Sequence, residues 1–99
     1  MFSNIVYKFT FNNIKDNKSP YMYIGSKSNC YIKDNKIYDK NHKQYLTSST
    51  NQLVQELIKE GDYLLEILYK NDDYKSVLEK ENELQLKYDV IHDDTYFNK

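Results

Sequence analysis

The chain has 99 residues and a formal net charge of −1, with 14 lysines, no arginine and 15 acidic residues. This length predicts one domain, residues 1–99, with a core large enough to fold alone. No apolar run approaches the ~20 residues of a membrane span. We expect no signal peptide, and a single cysteine excludes an internal disulfide. These features predict a cytoplasmic protein with no membrane partner, and they leave its oligomeric state open.

Charge is distributed unevenly along the chain. Residues 1–50 contain eight lysines and three aspartates, whereas residues 51–99 contain six lysines and twelve acidic residues. This asymmetry is compatible with a basic face and an acidic face, and equally with charges scattered over a solvated surface. The abundance of Lys, Asn, Ile and Tyr is typical of an AT-rich genome, such as many phages carry.

Two runs of β-branched and aromatic residues organise the N-terminal half. Residues 4–11 and 20–25 predict two antiparallel strands joined by a turn-rich connection. Because side chains alternate along a strand, two neighbouring strands can present Tyr7 and Tyr23 to a common site. Gly25 then lets the backbone turn away or approach a ligand closely.

The following segment, residues 26–43, is polar and basic. It contains Lys27, Lys33, Lys36, Lys40 and Lys43, interleaved with Tyr31, Ile32, Ile37 and Tyr38. Lysines among tyrosines suit contact with phosphates and packing against bases or sugars, so the five lysines are candidate nucleic-acid-binding residues. An irregular surface loop with two small hydrophobic anchors explains the same pattern.

The C-terminal half predicts two helices separated by a strand. The first helix is expected near residues 50–60, with Ser49 and Gly61 at its ends, and the second near residues 73–88. The strand, residues 62–70, is expected to be largely buried. The order is therefore ββαβα, which predicts an α+β domain with a three-stranded antiparallel sheet flanked by helices.

Glu81 is the most informative residue of the second helix. It lies near the centre of the apolar stripe formed by Tyr74, Val77, Leu78, Leu84 and Tyr88. A carboxylate at this position costs several kcal/mol unless it is paired, protonated or bound to a metal. Pairing with a buried lysine or tyrosine hydroxyl and binding of a metal are both compatible with this position.

These features together resemble the GIY-YIG nucleases. Ile5-Val6-Tyr7 resembles the first motif, with Ile5 in place of its glycine, and Tyr23-Ile24-Gly25 resembles the second. Glu81 matches the metal-binding glutamate of the family, and Asn98 matches its late asparagine, which would fix the site through hydrogen bonds. The motifs follow the family's order, and the chain is most similar to small freestanding phage homing endonucleases.

The resemblance implies a metal-dependent endonuclease that hydrolyses phosphodiester bonds in DNA in the host cytoplasm. Glu81 would hold Mg²⁺ or Mn²⁺, while Tyr7 would help to deprotonate the attacking water and Tyr23 would orient it. The family's arginine is absent, so Lys33 or Lys27 would contact the scissile phosphate without a bidentate fork. That loss also leaves an alternative, a catalytically inactive binding protein of the same fold that occupies nucleic acid or blocks a host factor.

Overall fold

A computed structural model describes residues 2–12, 21–47, 51–89 and 96–97. Within them the chain forms, in order, β1 (Ser3–Phe11), β2 (Met22–Lys33), β3 (Lys36–Tyr38), α1 (Gln52–Glu60), β4 (Tyr63–Asn71) and α2 (Tyr74–Lys87). The strands form one antiparallel sheet in the order β3-β2-β1-β4. The prediction of a single α+β domain with an antiparallel sheet and two helices is confirmed.

The sheet has four strands where the sequence predicted three, because the chain does not leave the sheet after Gly25. Strand β2 continues to a turn at Asp34 and Asn35 and then pairs with β3. Both turn residues have positive φ, 52° and 64°, as a two-residue type I′ hairpin requires. The interpretation of residues 26–43 as an irregular loop is therefore wrong for residues 26–38.

The core occupies both faces of the sheet, because alternate residues of β1 point to opposite sides. One face, the α1 face, buries Ile5, Tyr7, Phe9, Phe11 and Tyr23 together with Val54, Leu57 and Ile58 of α1. The other, the α2 face, buries Val6 and Ile24 together with Val77 and Leu84 of α2. Tyr7 and Tyr23 thus lie on one face of adjacent strands, as alternation predicted.

Local side-chain chemistry fixes the ends of the helices. The side chain of Asn51 caps α1 by accepting a hydrogen bond from a first-turn amide at 2.9 Å, and Gly61 ends the helix with φ of 83°. The role of Gly61 is confirmed, whereas Ser49 lies outside the described residues and Asn51 is the cap. Asp73 caps α2 in the same way. Neither described helix is long and apolar enough to cross a membrane.

Strand β4 is the edge strand beside β1, and the prediction that it is largely buried is wrong. Leu64 and Ile67 are 53% and 40% exposed, because the sheet ends at this strand. The strand also carries a β-bulge, since Val6 lies opposite Tyr69 whereas Tyr7 lies opposite Ile67. One residue of β4 is therefore left without a partner in β1, and the strand bends there.

Candidate functional site

Tyr7 and Gly25 lie directly opposite each other in the β1–β2 pair. A Cβ atom added to Gly25 would lie 2.5 Å from the Tyr7 hydroxyl oxygen and 2.7 Å from its Cζ. Among the described glycines only Gly61 has positive φ, so close approach of the ring, and not backbone conformation, requires glycine at position 25. The tyrosine of the first motif is thus packed onto the glycine of the second.

The Tyr7 hydroxyl is wholly buried and makes no hydrogen bond of good geometry with a described residue. Burial raises the pKa of Tyr7 well above its ordinary value, and the neighbouring Tyr45 and Tyr23 raise it further. Side-chain contacts with Tyr45 and Thr47 also act on this pKa, the first raising it and the second lowering it. A neutral phenol of raised pKa is suited to donating a hydrogen bond and poorly suited to removing a proton.

Lys27 lies at the rim of this tyrosine cluster. Its Nζ is 4.9 Å from the centre of the Tyr45 ring, and that ring packs edge-on against Tyr7 at 6.2 Å between centroids. Lys33, in contrast, is exposed beside the hairpin turn, opposite Lys36. Of the two lysines predicted to replace the arginine, the structure brings only Lys27 to the tyrosines.

Glu81 reaches β2 from the α2 face. Its Oε1 accepts a hydrogen bond from the Ser26 hydroxyl at 3.0 Å. Gln85, one helical turn further on, donates from Nε2 to the Ile24 carbonyl at 3.3 Å and makes a longer contact of 3.4 Å with Glu81 Oε2. Partial burial raises the pKa of the Glu81 carboxyl, and the hydrogen bond from Ser26 opposes that rise. The support expected from a lysine or tyrosine comes instead from a serine.

The predicted site residues therefore lie on both sides of one backbone segment. Tyr7 contacts Gly25 on the α1 face, whereas Glu81 contacts Ser26 on the α2 face. The two sides meet at the outer edge of β2, the edge away from β1, because β3 pairs only with the last three residues of β2 and no other described strand pairs with residues 24–29 on that side. The described residues of the predicted site thus lie on two faces, and the element that they share is this segment of β2.

Asn98, the remaining predicted site residue, lies outside the described residues. Its neighbour Phe97 donates its amide hydrogen to the Met22 carbonyl at 2.7 Å, and Tyr96 forms a parallel bridge with Met22. The described C-terminal residues thus lie beside the beginning of β2, next to the segment that carries the second motif.

A polar cleft of about 220 Å³ opens beside the outer edge of β2. Its lining residues are Lys27, Ser28, Asn29, Asp39, Lys40 and Asn41. The Asp39 carboxylate accepts hydrogen bonds from the amides of Lys43 and Asn41, which lower its pKa. The cleft therefore offers an anion two ammonium groups and neutral polar groups, together with one ionised carboxylate, that of Asp39.

The oxygen donors beside Glu81 fit a hard divalent cation. Mg²⁺ in nucleic-acid enzymes is typically held by one or two carboxylates together with water and substrate phosphates. Glu81 supplies one carboxylate and Ser26 one hydroxyl oxygen beside it, whereas Gln85 presents its Nε2, a hydrogen-bond donor, to the other carboxylate oxygen. The described part of the chain contains no cluster of three His, Cys, Asp or Glu side chains around a common point. The binding of a metal by Glu81 therefore stays a prediction.

Three residues of this region were not predicted as site residues. Gln85 follows Glu81 at the spacing of one helical turn, a pattern that could have indicated that the two side chains contact each other on one face of the helix. Ser26 could have been found by extending the alternation of β2 past Gly25. Tyr45 lies in an irregular segment, and no periodicity predicts its position against Tyr7.

Fold and site together define a small α+β domain in which Glu81 contacts β2 from one face and Lys27 lies beside the tyrosine cluster on the other. No protein-family model matches the chain, and no solved structure matches it. Among curated proteins it is similar to the "Uncharacterized 24.6 kDa protein in Gp32-Gp59 intergenic region" of Enterobacteria phage T4, with 35% identity over 96 residues. The match covers 96% of this chain and 45% of the relative, so the chain spans less than half of the relative's length. A phage relative is consistent with the phage-like composition.

Proposed function

We propose that the protein is a metal-dependent endonuclease that hydrolyses phosphodiester bonds in DNA in the cytoplasm of a host cell. The observation that carries the proposal is the position of Glu81, a partly buried carboxylate contacted by Ser26 and Gln85 at an open strand edge. Within the described residues no lysine forms an ion pair with it. A desolvated carboxylate without a cationic neighbour is a position that a bound cation stabilises.

Mg²⁺ or Mn²⁺ is the cofactor that this carboxylate would hold. Such a cation, when bound, polarises a phosphodiester and stabilises the leaving oxygen. The Ser26 hydroxyl fixes one carboxylate oxygen of Glu81, and Gln85 ties the same helix turn to the β2 backbone. These contacts hold the carboxylate against β2, so that little ordering is required when substrate arrives.

The lysines of the cleft supply positive charge for the phosphate. Lys27 and Lys40 both line the cleft, and Lys27 also contacts the tyrosine cluster, so it takes the place of the absent arginine. Lysine binds phosphate as a point charge and does not form the planar bidentate contact of arginine. Tyr7 would support the site from the core by packing against Gly25, because its buried hydroxyl and raised pKa oppose the role of base that the resemblance implies.

The test is nicking of supercoiled plasmid DNA by the whole chain, with Mg²⁺, with Mn²⁺ and with EDTA. We expect nicking only with metal, and we expect Glu81→Gln to abolish it while the circular dichroism spectrum stays unchanged. Glu79→Gln, an exposed position on the same helix, is the matched control and should nick like the wild type. Nicking that persists in EDTA, or in Glu81→Gln, would overturn the proposal.

A catalytically inactive nucleic-acid-binding protein is the second candidate function. The observation that favours it is the separation of Tyr7 and Glu81 onto opposite faces of the sheet, in a chain without arginine. This candidate predicts that the wild type and Glu81→Gln shift DNA equally in an electrophoretic assay and that neither nicks it with any metal. Metal-dependent nicking by the wild type excludes it.

A further inference from the structure

The β2–β3 hairpin presents a basic and aromatic surface separate from Glu81. Tyr31 lies opposite Tyr38 and Lys33 opposite Lys36, with the Ile32–Ile37 pair between them. Ile37 is buried on the α1 face, so alternation places the tyrosine and lysine pairs on the other side of the hairpin. We call the set of Phe2, Tyr31, Lys33, Lys36, Tyr38 and His42 the hairpin surface.

Four rings of the hairpin surface form one continuous aromatic cluster. The Tyr31 and Tyr38 rings are stacked, with centroids 5.3 Å apart and an interplanar angle of 16°. Phe2 and His42 pack against Tyr31 at 5.8 and 5.7 Å. Phe2 is 42% exposed, and His42 is also exposed. The rings therefore form a partly solvated apolar platform at the end of the sheet.

The loop that carries His42 is held in place by its own hydrogen bonds. The Asp39 carboxylate accepts from the amides of Asn41 and Lys43, and the Asp39 carbonyl accepts from the His42 amide at 3.0 Å. This turn holds His42 at φ of 63°, and its Nδ1 lies 3.0 Å from the Tyr31 hydroxyl. A ligand that binds to these rings has little loop ordering to overcome.

The charges of the hairpin surface favour a polyanion. Lys33 and Lys36 lie directly opposite each other, an arrangement of like charges that destabilises a strand pair. Two further lysines, Lys40 and Lys43, are exposed in the adjoining loop, so that four lysines outnumber the two aspartates of residues 31–43. A bound phosphate would relieve the repulsion between the paired lysines.

We propose that the hairpin surface binds unpaired nucleotides of a single DNA strand, with bases stacked on the rings and phosphates beside Lys33 and Lys36. Flat rings next to lysines suit an unpaired strand, because the faces of its bases are free for stacking, whereas a duplex keeps them covered. The choice of DNA rests on the proposed function, which this inference extends by naming an unpaired strand as the substrate. Strand β2 connects this surface along the chain to Ser26, which contacts Glu81.

The experiment is fluorescence anisotropy of a labelled 12-nucleotide oligo(dT) and of a labelled duplex of the same length, both in EDTA so that no cleavage occurs. We expect the wild type to bind the single strand more tightly. Phe2→Ala and Tyr38→Thr should each weaken single-strand binding roughly tenfold, or ~1.4 kcal/mol, with little effect on the duplex. Tyr38→Phe keeps the ring and should bind like the wild type.

Tyr88→Ala is the matched control. Tyr88 is 40% exposed and lies near Lys87 and Lys8, 5.7 and 5.9 Å from its ring centre, but it is outside the hairpin surface. Its removal should leave single-strand affinity unchanged. Melting curves of all variants establish that each is folded.

The outcomes separate this inference from the proposed function. Equal affinity for single strand and duplex, or oligo(dT) binding that Phe2→Ala and Tyr38→Thr leave intact, would overturn the inference even if plasmid nicking is observed. Ring-dependent binding of oligo(dT) without any plasmid nicking would support the inference and reject the nuclease. Removal of charge in the Lys33→Gln, Lys36→Gln double variant should also lower the salt dependence of single-strand binding.

Discussion

The two faces of the sheet differ in the burial and hydrogen bonding of the polar groups that contact adjacent positions of β2. On the α1 face, the Tyr7 hydroxyl is enclosed by aromatic rings and has no hydrogen-bond partner among the described residues. On the α2 face, Glu81 is only partly buried, and Ser26 and Gln85 contact its two oxygens. Burial raises both pKa values, but only the carboxylate lies where a solute can reach it. We call the Tyr7 side, on the α1 face, the enclosed half of the candidate site and the Glu81 side, on the α2 face, the accessible half.

The enclosed half is tested most strongly by Gly25→Ala. The new methyl group would overlap the Tyr7 ring, so we expect a loss of about 3 kcal/mol or more in the free energy of unfolding, measured by urea denaturation. Gly61→Ala is the control, because it meets no atom within 4 Å and is penalised only by its positive φ, by about 1–2 kcal/mol. Equal losses in the two variants would show that the Tyr7–Gly25 contact is not tight.

Tyr7→Phe removes the buried hydroxyl and keeps the ring. We expect the free energy of unfolding to rise by about 1 kcal/mol, because an unpaired polar group leaves the core. Tyr69→Phe is the control and should lower the free energy of unfolding, because the Tyr69 hydroxyl accepts a hydrogen bond from Asn71 at 2.9 Å. A less stable Tyr7→Phe protein would mean that the hydroxyl has a partner.

The accessible half is tested by the pH dependence of Glu81→Gln. The folded-state pKa of Glu81 lies above its unfolded value, so its contribution to stability is fully present below the unfolded pKa and is lost as pH rises through the folded pKa. Glu81→Gln should therefore be more stable than the wild type at pH 7, by roughly 1 kcal/mol or less, and no more stable below about pH 4.

The wild type and Glu81→Gln should also differ in how their melting temperatures respond to metal. Mg²⁺ should raise the melting temperature of the wild type and leave that of Glu81→Gln unchanged, because a ligand that binds the folded state stabilises it. The exposed Glu79→Gln variant should respond to Mg²⁺ like the wild type. A melting temperature of the wild type that does not respond to metal would contradict the role of Glu81.

The smallest effect is expected at Cys30, which lies on the enclosed α1 face. Burial raises the pKa of its thiol to about 11, and its Sγ lies 3.3 Å from the Ser3 carbonyl oxygen. The thiol is therefore protonated at pH 8 and should react slowly with a disulfide reagent in the folded protein, and rapidly after denaturation. Rapid labelling of the folded chain would show that this end of the face opens to solvent.

The strands and helices with regular patterns were predictable from the sequence, and so was the contact between the two motifs. Alternation placed Tyr7 and Tyr23 on one face, and the helical stripe indicated that Glu81 points toward the sheet. The sequence predicts that the second strand ends at Gly25, because Ser26 to Asn29 have low strand propensity, whereas β2 continues to Lys33. The hairpin was missed because its turn is Asp34-Asn35 and not the more typical Asn-Gly or Asp-Gly.

The division of the site between two faces could not be predicted from local patterns. Which face a helix covers depends on the order of the strands and on the path of the chain between them, and neither leaves a periodic pattern in the sequence. The edge position of β4 has the same origin, because its apolar residues predict burial whatever its place in the sheet. The sequence leaves Lys27 and Lys33 as equal candidates for the position of the absent arginine. The contact of Lys27 with Tyr45, which only the structure shows, distinguishes the two.

The bulge in β4 has a consequence for how copies of this protein behave at high concentration. Strand β4 is long and apolar, and its outer side would offer an incoming strand a row of amide and carbonyl groups. The bulge bends that row, and Glu66 and Lys70 place opposite charges along it. An incoming strand therefore meets a kinked and charged edge, which protects the folded chain against edge-to-edge aggregation.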